Sequence, residues 1–78
     1  MDDLQKFRKK INNIDEQLLL LLAKRFSIVE KIGKYKKNKG LPIIDNLQEK
    51  KIIEILTVKA AKNGIGKDCI ESIWEAIF

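Results

Sequence analysis

Histidine is absent from this 78-residue chain, and cysteine and proline occur once each, as Cys69 and Pro42. With no His and one Cys, the usual His/Cys metal constellations cannot be assembled, nor can a Cys–His or Ser–His pair for nucleophilic catalysis. A lone cysteine also excludes an internal disulfide and fits a reducing compartment, so a cytoplasmic location is expected. Scarce proline leaves room for long helices. Long apolar runs are missing too: Leu18–Leu22 is far short of the roughly eighteen uncharged residues of a membrane span. The acidic start, Asp2 and Asp3, lacks the layout of a signal peptide. No strand alternation, internal repeat or low-complexity segment is present.

What is present is a chain 45% hydrophobic and 35% charged, a globular rather than a disordered balance. The formal charge of +5 favours an anionic partner, either a nucleic acid or a small acid. Residues 1–78 make one small domain, of a size at which the core is marginal and oligomerisation often helps.

The dominant pattern covers residues 2–38. Leu4, Phe7, Ile11, Ile14, Leu18, Leu21, Ile28, Ile32 and Tyr35 follow alternating steps of three and four, with one seam position taken by Arg25. This is a helix with a continuous apolar seam. A charged side chain in such a seam is costly unless something anionic meets it, either a carboxylate of the protein or a ligand. At 1.5 Å per residue the helix would span roughly 55 Å. A compact globule of this length has a radius of gyration of only about 12 Å. The remaining forty or so residues cannot cover such a rod. The Leu18–Leu22 run, apolar all round, implies burial on every side. A second copy of the chain, in a symmetric dimer, is the simplest cover.

The rest of the chain reads as two shorter helices, giving an all-α fold of three. Asp2 or Asp3 can cap the first, and Gly40 and Pro42 end it, leaving a linker over Gly40–Ile44. Asp45 and Gln48 form a capping-box pattern for the second, whose apolar side is expected from Ile52, Ile53, Ile55, Leu56 and Val58. Lys62, Asn63 and Gly64 close it. Asp68 and Glu71 repeat the capping pattern for a third helix, with Ile70, Ile73, Trp74, Ile77 and Phe78 as core and Cys69 as a buried, unreactive small hydrophobe.

Few residues stand out as candidates for chemistry. Arg25 and Lys36 are eleven residues apart, close to three turns, so they share a face about 16 Å apart along the axis. Their long side chains can converge on a small anion. Arg8 lies about 25 Å from Arg25 on a straight helix and could reach the same ligand only from a second, antiparallel chain. Asp45 and Glu49 share a face of the second helix, which the short linker folds back beside Lys36. On pattern alone, Lys36 and Arg8 read first as solvated surface residues, Asp45 as a helix cap and Glu49 as an ordinary surface carboxylate. Arg25 stays open between a buried ion pair and a ligand contact.

The run Phe7-Arg8, Ile11, Ile14-Asp15, Leu18-Leu19, Leu21-Leu22-Ala23 and Arg25 resembles the opening of the all-helical class of chorismate mutase. Ile32-Gly33, Tyr35-Lys36, Pro42-Ile43, Asp45 and Glu49 continue the match in order and spacing over residues 4–56. The resemblance implies an intertwined helical homodimer, a dianionic substrate, no cofactor and a Claisen rearrangement of chorismate to prephenate in phenylalanine and tyrosine biosynthesis. It implies that Arg8 enters the partner chain's site and binds a carboxylate there, and that Arg25 holds a carboxylate in its own chain's site. It further implies that Lys36 hydrogen-bonds the ether oxygen, that Asp45 acts near the ring hydroxyl largely through its backbone, and that Glu49 accepts from that hydroxyl. Such a reaction needs no nucleophile, metal or proton relay. It needs a flexible dianion held in its compact conformer, and donors aimed at the ether oxygen where charge grows.

Two departures from the family's pattern stand in this chain. The family often has an arginine where Gln48 stands here, at a substrate-binding position. Its third helix usually runs further and brings a serine and a glutamine or glutamate to the substrate, so the domain is expected to be cut short at Phe78. Three other functions compete. One is isochorismate pyruvate lyase, with a similar anion clamp. Another is a non-catalytic regulatory domain fused to an aromatic-pathway enzyme. The third, a basic helical nucleic-acid or dimerisation module, is disfavoured because the lysines lack interleaved aromatics and no DNA-reading motif is present.

Overall fold

The computed structural model describes residues 2–78. Its elements are three α-helices, α1 (Asp3–Lys39), α2 (Asn46–Ala61) and α3 (Lys67–Ile77), with no strand among the described residues. The fold is all-α. None of the helices is long and apolar enough to cross a membrane. The chain divides into two compact units, one ending at Ile43 and one formed by Ile44–Phe78.

The first unit is essentially α1. Asp2, with extended backbone, caps it by accepting from the Gln5 amide at 2.8 Å. Such a cap satisfies one of the orphan donors of a helix start. At the far end Gly40 takes φ 68°, a left-handed turn that glycine adopts without strain, and the Leu41 amide reaches back to the Lys36 carbonyl at 2.8 Å. Lys36, Lys37 and Lys39 in the last turn suit the negative end of the helix dipole. No residue of α1 is buried. Its large apolar side chains, from Leu4 to Tyr35, are between 46% and 71% exposed, except Leu22, which is half-buried. The burial expected on every side of Leu18–Leu22 is therefore not met within one chain: Leu20 is 71% exposed. A helix cannot cover its own surface.

The second unit is an α2–α3 hairpin. Asp45 caps α2 by accepting from the Gln48 amide at 3.0 Å, as the Asp–Gln spacing predicts. The Ala60 carbonyl closes the other end, accepting from both Asn63 and Ile65 at 2.9 Å, with Gly64 at φ 74°. The core is Ala60 and Ile70, the two buried residues among those described.

Four expectations require correction. Along α3 and at its C-terminal cap, Ile73 and Phe78 are exposed rather than core, because they flank the arc of Ile70, Trp74 and Ile77. The inner side of α2 is half-buried Ile52, Ile53, Leu56 and Thr57 with buried Ala60, whereas Ile55 and Val58 are more than half exposed. At 100° per residue, positions 52, 53, 56, 57 and 60 fall in one arc, and positions 55 and 58 fall opposite it. Thr57 is tolerated on the inner face because its hydroxyl donates to the Ile53 carbonyl at 2.7 Å. The Asp68 cap does not form: α3 starts two residues earlier than that cap would set, at Lys67, with Gly66 as an N-cap that makes no side-chain bond. Glu71 instead pairs with Lys67 at 3.6 Å. Finally, Cys69 is exposed, because on α3 it faces away from the arc of Ile70, Trp74 and Ile77.

Ile70→Ala should destabilise the hairpin by about 2–5 kcal/mol, the usual cost of emptying a buried isoleucine site. Chemical denaturation followed by Trp74 emission reads this directly, since Trp74 is the chain's one tryptophan and is half-buried on α3.

Candidate functional site

On α1 four residues are half-buried: Leu22, Arg25, Gly33 and Lys36. Their positions fall within an arc of about 80° at 100° per residue, so they lie on one face. Two of the four are the cations singled out by spacing, and they sit about 16 Å apart along the axis. Arg8 is exposed, on a neighbouring part of the helix surface but about 25 Å from Arg25 along the axis. Within the first unit, then, Arg25 and Lys36 share a face and Arg8 is remote from both.

In the second unit Asp45, Gln48 and Glu49 meet at the start of α2. The Asp45 carboxylate is committed to the Gln48 amide, and its carbonyl accepts from the Glu49 amide at 3.1 Å. This leaves Asp45 a structural task that needs no ligand. Gln48 is exposed beside a shallow hollow of 490 Å³ shared with Leu47, Lys51 and Glu54. Glu49 is half-buried and lines a larger groove of 1030 Å³ between α2 and α3. Ile53 and Thr57 continue its α2 wall at steps of four, and Glu71, Glu75 and Phe78 line it from α3. Thr57 was not singled out by the sequence pattern; its place four and eight residues beyond Ile53 and Glu49 was the available signal.

Charge is unevenly distributed. Helix α1 carries eleven Lys and Arg against four Asp and Glu, while Ile44–Phe78 carries five Lys against six Asp and Glu. The positive charge suited to an anion thus belongs to α1. The acceptor suited to a hydroxyl belongs to α2.

The family model for type II chorismate mutase matches residues 7–78. The chain belongs to the type II chorismate mutase family. It is 36% identical over 73 residues to the "T-protein" of Haemophilus influenzae, a match covering 94% of this chain and 19% of that protein. It is 38% identical over 76 residues to a "Bifunctional chorismate mutase/prephenate dehydratase" of Buchnera aphidicola subsp. Schizaphis graminum, covering 97% of this chain and 20% of that protein. A "Chorismate mutase" of Methanocaldococcus jannaschii is 37% identical over 54 residues, 69% of this chain and 54% of that protein. The chain thus spans about a fifth of the length of the first two of these chorismate mutase family relatives. No solved structure matches at the same stringency.

The geometry of Asp45 generates a stability test. Asp45→Ala should cost about 1 kcal/mol through loss of the cap, while Asp45→Asn, which keeps a side-chain acceptor, should cost little. Thermal unfolding of the two variants, monitored by ellipticity, separates this capping task from any role in binding.

Proposed function

We propose that the chain is a chorismate mutase domain that rearranges chorismate to prephenate as a homodimer. The observation that carries this reading is the family match over residues 7–78, which includes Arg25 and Lys36 on one half-buried face of a basic helix. The substrate is a dianion, and a half-buried pair of cations can grip it more strongly than solvated lysines would. In this reading Arg25 holds a carboxylate. Lys36 donates to the ether oxygen as the carbon–oxygen bond breaks, and Glu49 accepts from the ring hydroxyl. The Asp45 backbone lies near that hydroxyl, and Gln48 stands at a position where the family often uses a cation. No covalent step is required of the protein. Its work is to hold the reactive conformer and stabilise the charge that develops.

The dimer is supported by the bare seam of α1. Helices α2 and α3 have 16 and 11 residues. Even end to end they would span about 40 Å, against roughly 55 Å for α1. Burial of one large apolar side chain stabilises by about 1.5–3 kcal/mol, so a second copy laid along the seam supplies a strong drive to associate. The names and lengths of the bifunctional relatives favour a longer protein in which this domain is joined to a second aromatic-pathway activity. A cytoplasmic location fits the lone cysteine.

The direct test is the loss of chorismate absorbance with the 78-residue chain and with a version extended beyond Phe78. Rearrangement by neither would overturn the enzymatic reading. In an active protein, Lys36→Ala should lower kcat more than it raises KM, by the equivalent of about 3–4 kcal/mol in the barrier. A change confined to KM would make Lys36 a binding group only.

A shared site makes a separate forecast. Arg8→Ala and Arg25→Ala should each be nearly inactive. Refolded together, they form mixed dimers in which one site receives intact Arg8 from one chain and keeps intact Arg25 of the other. Random pairing should restore roughly a quarter of wild-type sites. Activity no higher than the mean of the two variants, with exchange confirmed by mass, would rule out the shared site.

A further inference from the structure

Gly33 is the one residue on the half-buried face of α1 whose identity nothing within the chain explains. It lies inside a helix, where glycine is less favourable than alanine because it has more backbone freedom to lose. Its backbone does not require glycine: the positive-φ glycines are Gly40 and Gly64, and Gly33 is not among them. Packing does not require it either, since a Cβ built at position 33 would meet nothing within 4 Å. What remains is a need for clearance toward something from outside the chain.

The neighbours on that face say where the clearance is used. Gly33 lies about 12 Å beyond Arg25 along the axis and one turn before Lys36. Side chains on a helix lean back toward its N-terminus, over the residues three and four positions earlier. Lys36 is thus directed toward the turn that holds Gly33, with no atom of its side chain within 4 Å of a Cβ built there. A methyl at position 33 would enter the open space on the face between Arg25 and Lys36.

We infer that Gly33 is a positioning residue for the proposed reaction: it keeps open the space beneath Lys36 in which a small cyclic dianion sits between Lys36 and Arg25. This deepens the reading of the chain as a chorismate mutase domain and rests on it. Gly33 itself offers no functional group. It acts through Lys36 by setting how close the substrate comes to the helix, and so how well the ammonium reaches the breaking bond.

The inference yields two effects of opposite sign. Gly33→Ala should leave the thermal midpoint unchanged or raise it, because alanine is the better helix former and meets no clash. The same variant should raise KM for chorismate by about tenfold or more, and Gly33→Val should raise it further as the space fills. The experiment measures unfolding, sedimentation, and kcat and KM separately for wild type and both variants, using whichever length of the protein turns over chorismate. Binding of a non-reacting cyclic dicarboxylate is measured in parallel by calorimetry. A stable Gly33→Ala protein with raised KM and weakened dicarboxylate binding supports the inference. Unchanged KM in an active Gly33→Ala protein overturns the role of Gly33 and leaves the chorismate mutase reading standing. A Gly33→Ala protein that unfolds early or changes its sedimentation also overturns it, by assigning the glycine to packing between chains. Wild type that neither turns over chorismate nor binds the dicarboxylate overturns both.

Discussion

The constraint behind everything else is the apolar seam of α1, which no residue of α1 can bury. A free helix of this length gains little from its side chains, and most helical stability in proteins comes from packing an apolar face. The seam therefore sets the order of events. Cover must come from beyond the helix before its register matters, and the two cations on its half-buried face acquire a low-dielectric setting only as that cover closes. Function, in the proposed reading, is coupled to assembly because the same helix supplies both the packing surface and the charges.

That coupling suits the chemistry proposed. A rearrangement with no covalent intermediate asks for fixed charges and a defined shape rather than for titrating groups. Arginine and lysine on one rigid helix provide the first, and the precision of helical geometry provides the second. The absence of histidine, which would handicap a hydrolase or a proton-transfer enzyme, is no handicap here. The acceptor, Glu49, sits in a different unit from the cations, at the first turn of α2, where the Asp45 cap fixes the local backbone. Capping and carboxylate placement are thus linked through five consecutive residues, 45–49.

Most of the fold was legible in the residues. Asp2, Gly40 and Asp45 mark helix ends by mechanisms that act locally, so their signals survive without tertiary context. The hairpin was harder. Apolar content suggested that Ile55 and Val58 belong inside, but angular position decides, and Thr57 and Ala60 occupy the inner face instead. Asp68 looked like a cap by its spacing to Glu71, yet the extended backbone at Gly66 lets the helix begin sooner and leaves Glu71 to Lys67. Of the candidate site, the shared face of Arg25 and Lys36 was readable from their spacing, and both are half-buried. Arg8 is exposed and lies about 25 Å along the axis from Arg25. Gly33 passed unnoticed as a site residue because a missing side chain leaves no pattern to find.

The location of Trp74 separates the two units optically. It is the chain's one tryptophan and belongs to the α2–α3 hairpin, whereas α1 alone contributes 37 helical residues against 16 and 11 from the other helices. Far-ultraviolet ellipticity is therefore weighted toward the long helix, and indole emission reports the hairpin. Two probes that trace one transition would mean that the units melt as a single cooperative body. Two that part company would reveal a long helix that comes undone while the hairpin still holds.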